Sequence, residues 1–340
     1  LPYAPQMPSS KELQQMYFDR IAENRRPMSS KGKHVPLTSI PFFRSGPSAG
    51  TLLMLASAFL FSVLDGLIKL LGPGFRIWDI AFYRFGFGLV ILIGIMGWKQ
   101  NPFKTRNLRL MIIRGITGTT AFLLLVLAIR LIPLSTALVL FFSFPAFAAL
   151  FSFLFFGEHI SVAQIGCVLG ALVGASILFD YQISENLWGQ AAGLASGIFA
   201  GVTVCLIKKL RETNGAPIIY LYFCLLGALI TFPMFISNPH LPRSVIDWVM
   251  IGGIVFTALG AQLLMNQGFQ YCKSWEGGLI LTSEVVFTAA LGILFLGEIF
   301  SWRFGCGGLL IIASAVFSNF AGDRSAPICS KGQSRRLPLL

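Results

Sequence analysis

Glu284 stands within a run of apolar and small residues, GGLILTSEVVFTAALGILFL, spanning Gly277–Leu296. A carboxyl group at the centre of a helix in lipid costs roughly 3 kcal/mol or more, so such a residue is a functional candidate by default. Two chemistries fit it: titration between its neutral and ionised forms, or charge balance for a cationic partner. A structural pair with an arginine from another helix is the alternative. Arg84 and Arg114 sit about two turns into apolar runs of their own. Either guanidinium could grip a carboxylate or phosphate in bidentate fashion. For Arg84 the competing reading is neutralisation of Asp65 or Asp79. For Arg114, as for Lys69, it is snorkelling of the charged head to the membrane interface.

Neutral polar residues add to the pattern. Gln262, Asn266 and Gln270 recur every fourth residue, so they share one face of one helix. In lipid such a stripe must face protein or a water-filled path, where it either binds solute or joins helices. Ser143, Thr282 and Ser283 fall near the middle of their runs and could complete a polar site. Pro145 removes a backbone hydrogen bond from mid-helix and should kink that span, a feature that serves a moving gate or a static shape alike. Gly166, Gly170 and Gly174 form a small-xxx-small run that predicts close helix packing within the chain. Glu158 and Glu298 end their runs and read as interfacial helix-end groups.

Such residues require elements that hold them in lipid. Of the 340 residues, 55% are apolar and only 12% charged, with a mean hydropathy of +0.75. Soluble domains carry about a quarter charged residues, so lipid must serve as this chain's solvent. Ten apolar segments are readable: Gly50–Leu71, Ile77–Trp98, Leu108–Leu131, Pro133–Phe156, Val162–Phe179, Trp188–Leu210, Ala216–Ile236, Val245–Tyr271, Gly277–Leu296 and Ser301–Phe320. Each is near the length at which a helix crosses the hydrocarbon. The expected fold class is therefore an all-α polytopic membrane protein. The net charge of +12 marks topology rather than nucleic acid, because Lys and Arg collect in tails and short loops. With the N-terminus inside, only Arg76, Arg130, Arg243 and Arg303 fall in outside loops, which places both termini in the cytoplasm.

Residues 1–48 form a basic cytoplasmic tail, in which KELQQMYFDRIAENRR has the spacing of a short interfacial helix. Residues 322–340 form a second cytoplasmic tail. The six cysteines show neither a CxxC pair nor metal-ligand spacing, and His34, His159 and His240 lie in the tail or in loops. No metal site or cofactor is expected. HExxH and paired metal-binding aspartates are missing from the sequence, which argues against a membrane-embedded enzyme.

The two halves resemble each other. Leu55–Ser57 (LAS) recurs at Leu194–Ser196, Leu67–Lys69 (LIK) at Leu206–Lys208, and Tyr83 with Gly88 at Tyr222 with Gly227. Leu154, Phe155, Gly157 and Glu158 recur at Leu294, Phe295, Gly297 and Glu298. Residues 49–183 and 184–321 thus read as two five-helix repeats. An odd number of spans per repeat inverts the second relative to the first, the arrangement of alternating-access carriers.

Four local patterns carry a family resemblance: FYRF at Phe82–Phe85, RGITGTTAF at Arg114–Phe122, IPLSTALVLFFSFPAFAALFSFLFFGE at Ile132–Glu158, and TSEVVFTAALGILFLGE at Thr282–Glu298. With these the chain resembles the ten-span EamA-type branch of the drug/metabolite transporter superfamily, from Gly50 to about Phe320. The family often has Pro after the ninth-span Glu. Val285 stands there, so the kink expected at Pro145 is not expected in the second half. The resemblance implies a proton- or gradient-driven carrier, or an exchanger, of small organic solutes. The expected function is secondary transport of an amino-acid-like, nucleotide-type or S-adenosylmethionine-like metabolite, with protons as a coupling ion and a bacterial inner membrane as location. The alternative is a structural or regulatory membrane protein on the same fold.

Overall fold

Apolar runs bounded by Gly, Pro and Asn-rich breaks become helices because in lipid only a helix or a closed barrel satisfies its own backbone. The computed structural model describes residues 47–72, 74–97, 105, 107–132, 134–157, 161–178, 186–296 and 302–322, and among these every regular element is a helix. The expected interfacial helix of the N-terminal tail, Pro133, Glu158, Glu298, His34, His159 and the Lys69 side chain lie outside what is described.

The first half holds α1 (Pro47–Leu71), α2 (Ile77–Gly97), α3 (Leu108–Leu131), α4 (Leu134–Phe141), α5 (Phe144–Phe156) and α6 (Val162–Leu178). The second holds α7 (Leu187–Arg211), α8 (Ala216–Ile236), α9 (Val245–Gly268), α10 (Ser274–Leu281), α11 (Glu284–Leu296) and α12 (Trp302–Gly322). Seven stretches of the described residues are long and apolar enough to cross a membrane: they lie in α1, α2, α3, α4–α5, α7, α8 and α9. The apolar parts of α6 and α12 are shorter. Large apolar side chains such as Val90, Phe155, Phe256 and Leu309 are exposed, which is a stable arrangement only where lipid covers them.

Two expected spans are broken rather than continuous. The fourth stops at Phe141 and restarts at Phe144, which puts Pro145 in the first turn of α5 instead of mid-helix. There the missing N–H costs nothing, since first-turn donors have no helical acceptor. The ninth breaks at the same relative place without a proline, contrary to the expectation drawn from Val285. The local chemistry explains it. Thr282 Oγ1 donates to Gly278 O at 3.2 Å, Ser283 Oγ donates to Ile280 O at 2.7 Å, and the Val285 N–H turns back to Thr282 O at 3.1 Å. Hydroxyls that bond the preceding turn loosen a helix as a proline does. Ser143 repeats the pattern in the first half, with Oγ donating to Leu140 O at 2.5 Å.

The halves pack across each other: α3 lies on α7 and α1 on α9, while α2 crosses α8 and α6 crosses α12. The α2–α8 crossing is reciprocal. A Cβ on Gly88 would stand 3.2 Å from Cys224 Sγ, and one on Gly227 would stand 2.6 Å from the Phe85 ring. Phe85 and Gly88 precede Cys224 and Gly227 by the same 139 positions (85 to 224, 88 to 227). Gly193, Gly197 and Gly201 let α7 approach the broken span, where added Cβ atoms would fall 3.1 Å from Leu140, 2.7 Å from Ser143 Oγ and 2.7 Å from Phe147. Of the expected fifth-span glycines, Gly170 and Gly174 meet Ser314 and Gly307–Ile311 of α12, whereas Gly166 faces open space.

Each end of the bundle is tied by polar contacts between the halves. At one end Arg76 is held by both oxygens of Asp79 (3.1 and 3.0 Å) and reaches the carbonyls of Met234 and Asn238. Tyr83 donates to His240 O at 2.8 Å beside it. The Asp79 carboxylate raises the Arg76 guanidinium above its ordinary value, so that charge persists at any usable pH. At the other end Thr105 donates to Asn214 Oδ1 at 3.0 Å, and Arg211 bridges Asn214 O, Gln267 and Gln270.

Candidate functional site

Several charged residues of the sequence pattern meet inside the bundle. A cavity of about 130 Å³ receives Asp65 from α1, Arg84 from α2, Arg114 from α3, Thr203 from α7, Gln262 from α9 and Glu284 from α11. That is close to the volume that accepts one benzene-sized molecule. The rest of its wall is apolar, with Phe61, Phe122, Phe141, Phe144 and Phe223 prominent. Phe141 and Phe144 flank one helix break and Leu281 and Glu284 the other, so both breaks deliver residues to the wall.

Arg114 is 1% exposed, one of the largest fully buried side chains. Its guanidinium lies over the Phe223 ring with the carbon 3.9 Å from the centroid, and Nη2 donates to Gln262 Oε1 at 3.1 Å. Gly118, one turn on, makes the seat: a Cβ there would stand 2.7 Å from Nη1. Snorkelling is therefore excluded for Arg114, because ring stacking and the Gln262 bond turn the chain inward. Its Nε and Nη1 have no hydrogen-bond partner. Arg84 is similarly placed, buried, with its guanidinium carbon 4.4 Å from the Phe122 centroid and its Nε unpartnered. Aromatic faces stabilise a desolvated cation by about 2 kcal/mol or more without using its N–H groups, which leaves donors free for a ligand.

Glu284 does not pair with an arginine at contact distance. Its carboxyl lies within hydrogen-bonding reach of that of Asp65, with Arg84 near enough to attract both. With one proton shared between them, the two carboxyls bond each other and carry a single negative charge. Asp79 is not the partner of Arg84, because Arg76 occupies both of its oxygens and its own N-terminal turn holds it (Arg76 N–H at 2.9 Å).

Arg84, Arg114, Gln262 and Glu284 thus share the cavity, while the other expected site residues do not reach its wall. Asn266 Nδ2 faces Ala216 O at 3.5 Å, which is helix joining. Ser143 and Thr282 spend their hydroxyls on the helix breaks. Pro145 lies where the two broken spans touch, its Cα 3.5 Å from a Cβ built on Gly278. Gln270 lies beyond the end of α9 and bonds Arg211, so the expected stripe splits among three partners. Asp65 is the residue that reading by sequence undervalued. It is an acid inside an apolar run, as Glu284 is, and the same cost argument marks it.

Fold and cavity together define an α-helical membrane protein with a solute-sized chamber inside its bundle. The chain belongs to the EamA-like transporter family, whose sequence profile matches residues 48–180 and again 187–320. It is 26% identical over 269 residues to the pseudopaline exporter CntI of Pseudomonas aeruginosa, covering 79% of this chain and 95% of that protein. It is 24% identical over 288 residues to human solute carrier family 35 member G1, covering 79% and 78%. A crystal structure with 17% sequence identity superposes with a TM-score of 0.72, covering 82% of this chain and 99% of that one, and shows the same fold. The protein is an integral membrane transporter and not an enzyme.

Proposed function

We propose that this chain is a secondary transporter that carries a small organic metabolite through the Asp65–Arg84–Arg114–Glu284 cavity by alternating access. The observation that carries the proposal is the convergence of buried, incompletely bonded charges from both halves on one internal chamber. Buried donors without partners cost about 1–3 kcal/mol each, a cost that a bound solute removes. The cross-half packing and the reciprocal Phe85–Gly227 and Cys224–Gly88 contacts agree with two inverted five-span repeats, 49–183 and 184–321, and ten spans in all. Both termini would face the cytoplasm. Breaks in α4–α5 and α10–α11 supply the discontinuous helices around which such repeats rock. Two guanidiniums favour solutes with an acidic group among the amino-acid-like, nucleotide-type and S-adenosylmethionine-like classes.

Counterflow in proteoliposomes tests the reading. Vesicles holding the purified chain and loaded with a mixture of amino acids, nucleotides, organic acids and S-adenosylmethionine should take up at least one labelled member. Glu284→Gln and Arg114→Lys should change that uptake while protein-free vesicles stay silent. Retention of every label outside the vesicles would support the non-transporting alternative.

A further inference from the structure

We infer that the cavity binds a compact monocarboxylate together with one proton held between Asp65 and Glu284, so that the two move as an electroneutral pair. The inference rests on the carrier reading; it names the coupling ion and moves the solute from the amino-acid-like, nucleotide-type and S-adenosylmethionine-like classes to a simple organic acid.

Charge and size carry it. The groups facing the chamber are Asp65 on α1, Arg84 on α2, Arg114 on α3 and Glu284 on α11. The α7 and α9 faces offer neutral Thr203 and Gln262. Tyr220 and Cys224 of α8, packed beside Arg114 and Arg84, are the remaining titratable neighbours. Two guanidiniums against a carboxyl pair that shares one proton leave a single positive charge uncompensated. One carboxylate cancels it, and the guanidiniums of Arg84 and Arg114 that line the cavity are the groups that would receive it. A phosphate, at about −1.5 to −2, overcharges the chamber. An added ammonium group would compete with Arg84 for the acid pair. The phenylalanine-rich wall and the volume of about 130 Å³ suit a short apolar body.

The same groups explain coupling. When the shared proton leaves, the two carboxylates cancel both arginines and nothing draws the anion. The chamber is neutral when loaded with anion and proton, and neutral when it holds neither. Those are the two forms that can reorient across lipid without carrying net charge. The proton is taken from water on one side and returned to water on the other. The only covalent change is the O–H bond at the Asp65–Glu284 pair.

The test is calorimetric titration of the detergent-solubilised full chain with isocaproate, leucine and isoamylamine, which share a branched apolar body and differ in charge. Buffers of different ionisation enthalpy read the protons taken up. Isocaproate should bind at least about tenfold more tightly than leucine, with isoamylamine weaker still. Its affinity should fall about tenfold per pH unit once the acid pair has lost its proton, with one proton entering per anion. In Glu284→Gln the remaining Asp65 carboxylate mimics the proton-sharing pair, so binding should persist, lose its pH dependence and take up no proton. Arg114→Gln should weaken isocaproate about tenfold or more. Arg114→Lys, measured beside it, keeps the charge and loses only the planar fork. Equal or tighter leucine binding, or pH-independent isocaproate binding in the wild type, overturns the inference. Transport of another solute in counterflow would then leave the carrier reading standing, whereas silence there as well would remove both.

Discussion

Replacing Gly118 by alanine puts a methyl group 2.7 Å from Nη1 of Arg114 and 3.0 Å from the Phe223 ring. Heavy atoms in ordinary contact stand about 3.5 Å apart, so the guanidinium must retreat by about 0.8 Å. It is boxed in by Phe223 on its face and by Gln262 at 3.1 Å, and a retreat of that size stretches the Gln262 bond past hydrogen-bonding range. Loss of a charged hydrogen bond costs about 1.5–3 kcal/mol. The higher helix propensity of alanine returns about 1 kcal/mol. The net folding cost should be about 1 kcal/mol, small enough for the chain to purify. Binding should suffer far more, because a displacement approaching 1 Å can cost on the order of a hundredfold where geometry decides. Thermal unfolding in detergent and isocaproate titration of the same sample read the two effects separately. Gly94→Ala is the control: its Cβ meets nothing within 4 Å, so it should stabilise the helix slightly and leave binding unchanged. A Gly118→Ala protein that folds and binds isocaproate like the wild type would falsify the assignment of Arg114 as the anion's seat.

Other perturbations probe the supports of the site. Gln262→Leu strips the acceptor from Arg114 Nη2 and should lower stability by about 1.5–3 kcal/mol in thermal unfolding; Gln262→Glu should instead fold well and lose anion binding, because the new carboxylate occupies the guanidinium. Val285→Pro should cost no more than about 1 kcal/mol, since its N–H makes only a first-turn bond to Thr282 O, whereas proline at Leu291 inside α11 should cost about 3 kcal/mol or more; equal costs at the two positions would mean that the ninth span is continuous. Gly227→Ala drives a methyl into the fully buried Phe85 ring at 2.6 Å and should destabilise by about 1–3 kcal/mol, while Gly88→Ala, facing Cys224 Sγ at 3.2 Å and Tyr220 Oη at 3.5 Å, should cost less. Similar melting temperatures for the two would contradict the close α2–α8 crossing.

The sequence alone determined the solvent of this protein and hence its class. A chain with 12% charged residues has no polar surface to give to water, and runs of about 20 apolar residues leave the helix as their only open form. It also pointed to Glu284, Arg84, Arg114 and Gln262, because a charge or amide within lipid is too costly to keep without a task. What it left open was partnership. Sequence spacing brings Arg84 near Asp79, yet Arg76 takes both oxygens of that carboxylate, and only the fold lays Arg84 on Phe122 beside Asp65 and Glu284. Gln262, Asn266 and Gln270 looked equivalent along one helix face, but three different neighbours claimed them, because a helix face is read by whatever packs on it. Proline marked one helix break, and its absence concealed the other, since back-bonding hydroxyls at Thr282 and Ser283 loosen a helix with no visible signature. Local chemistry is written along the chain, whereas the pairing of charges depends on which of ten apolar runs, alike in hydrophobicity, come to lie side by side.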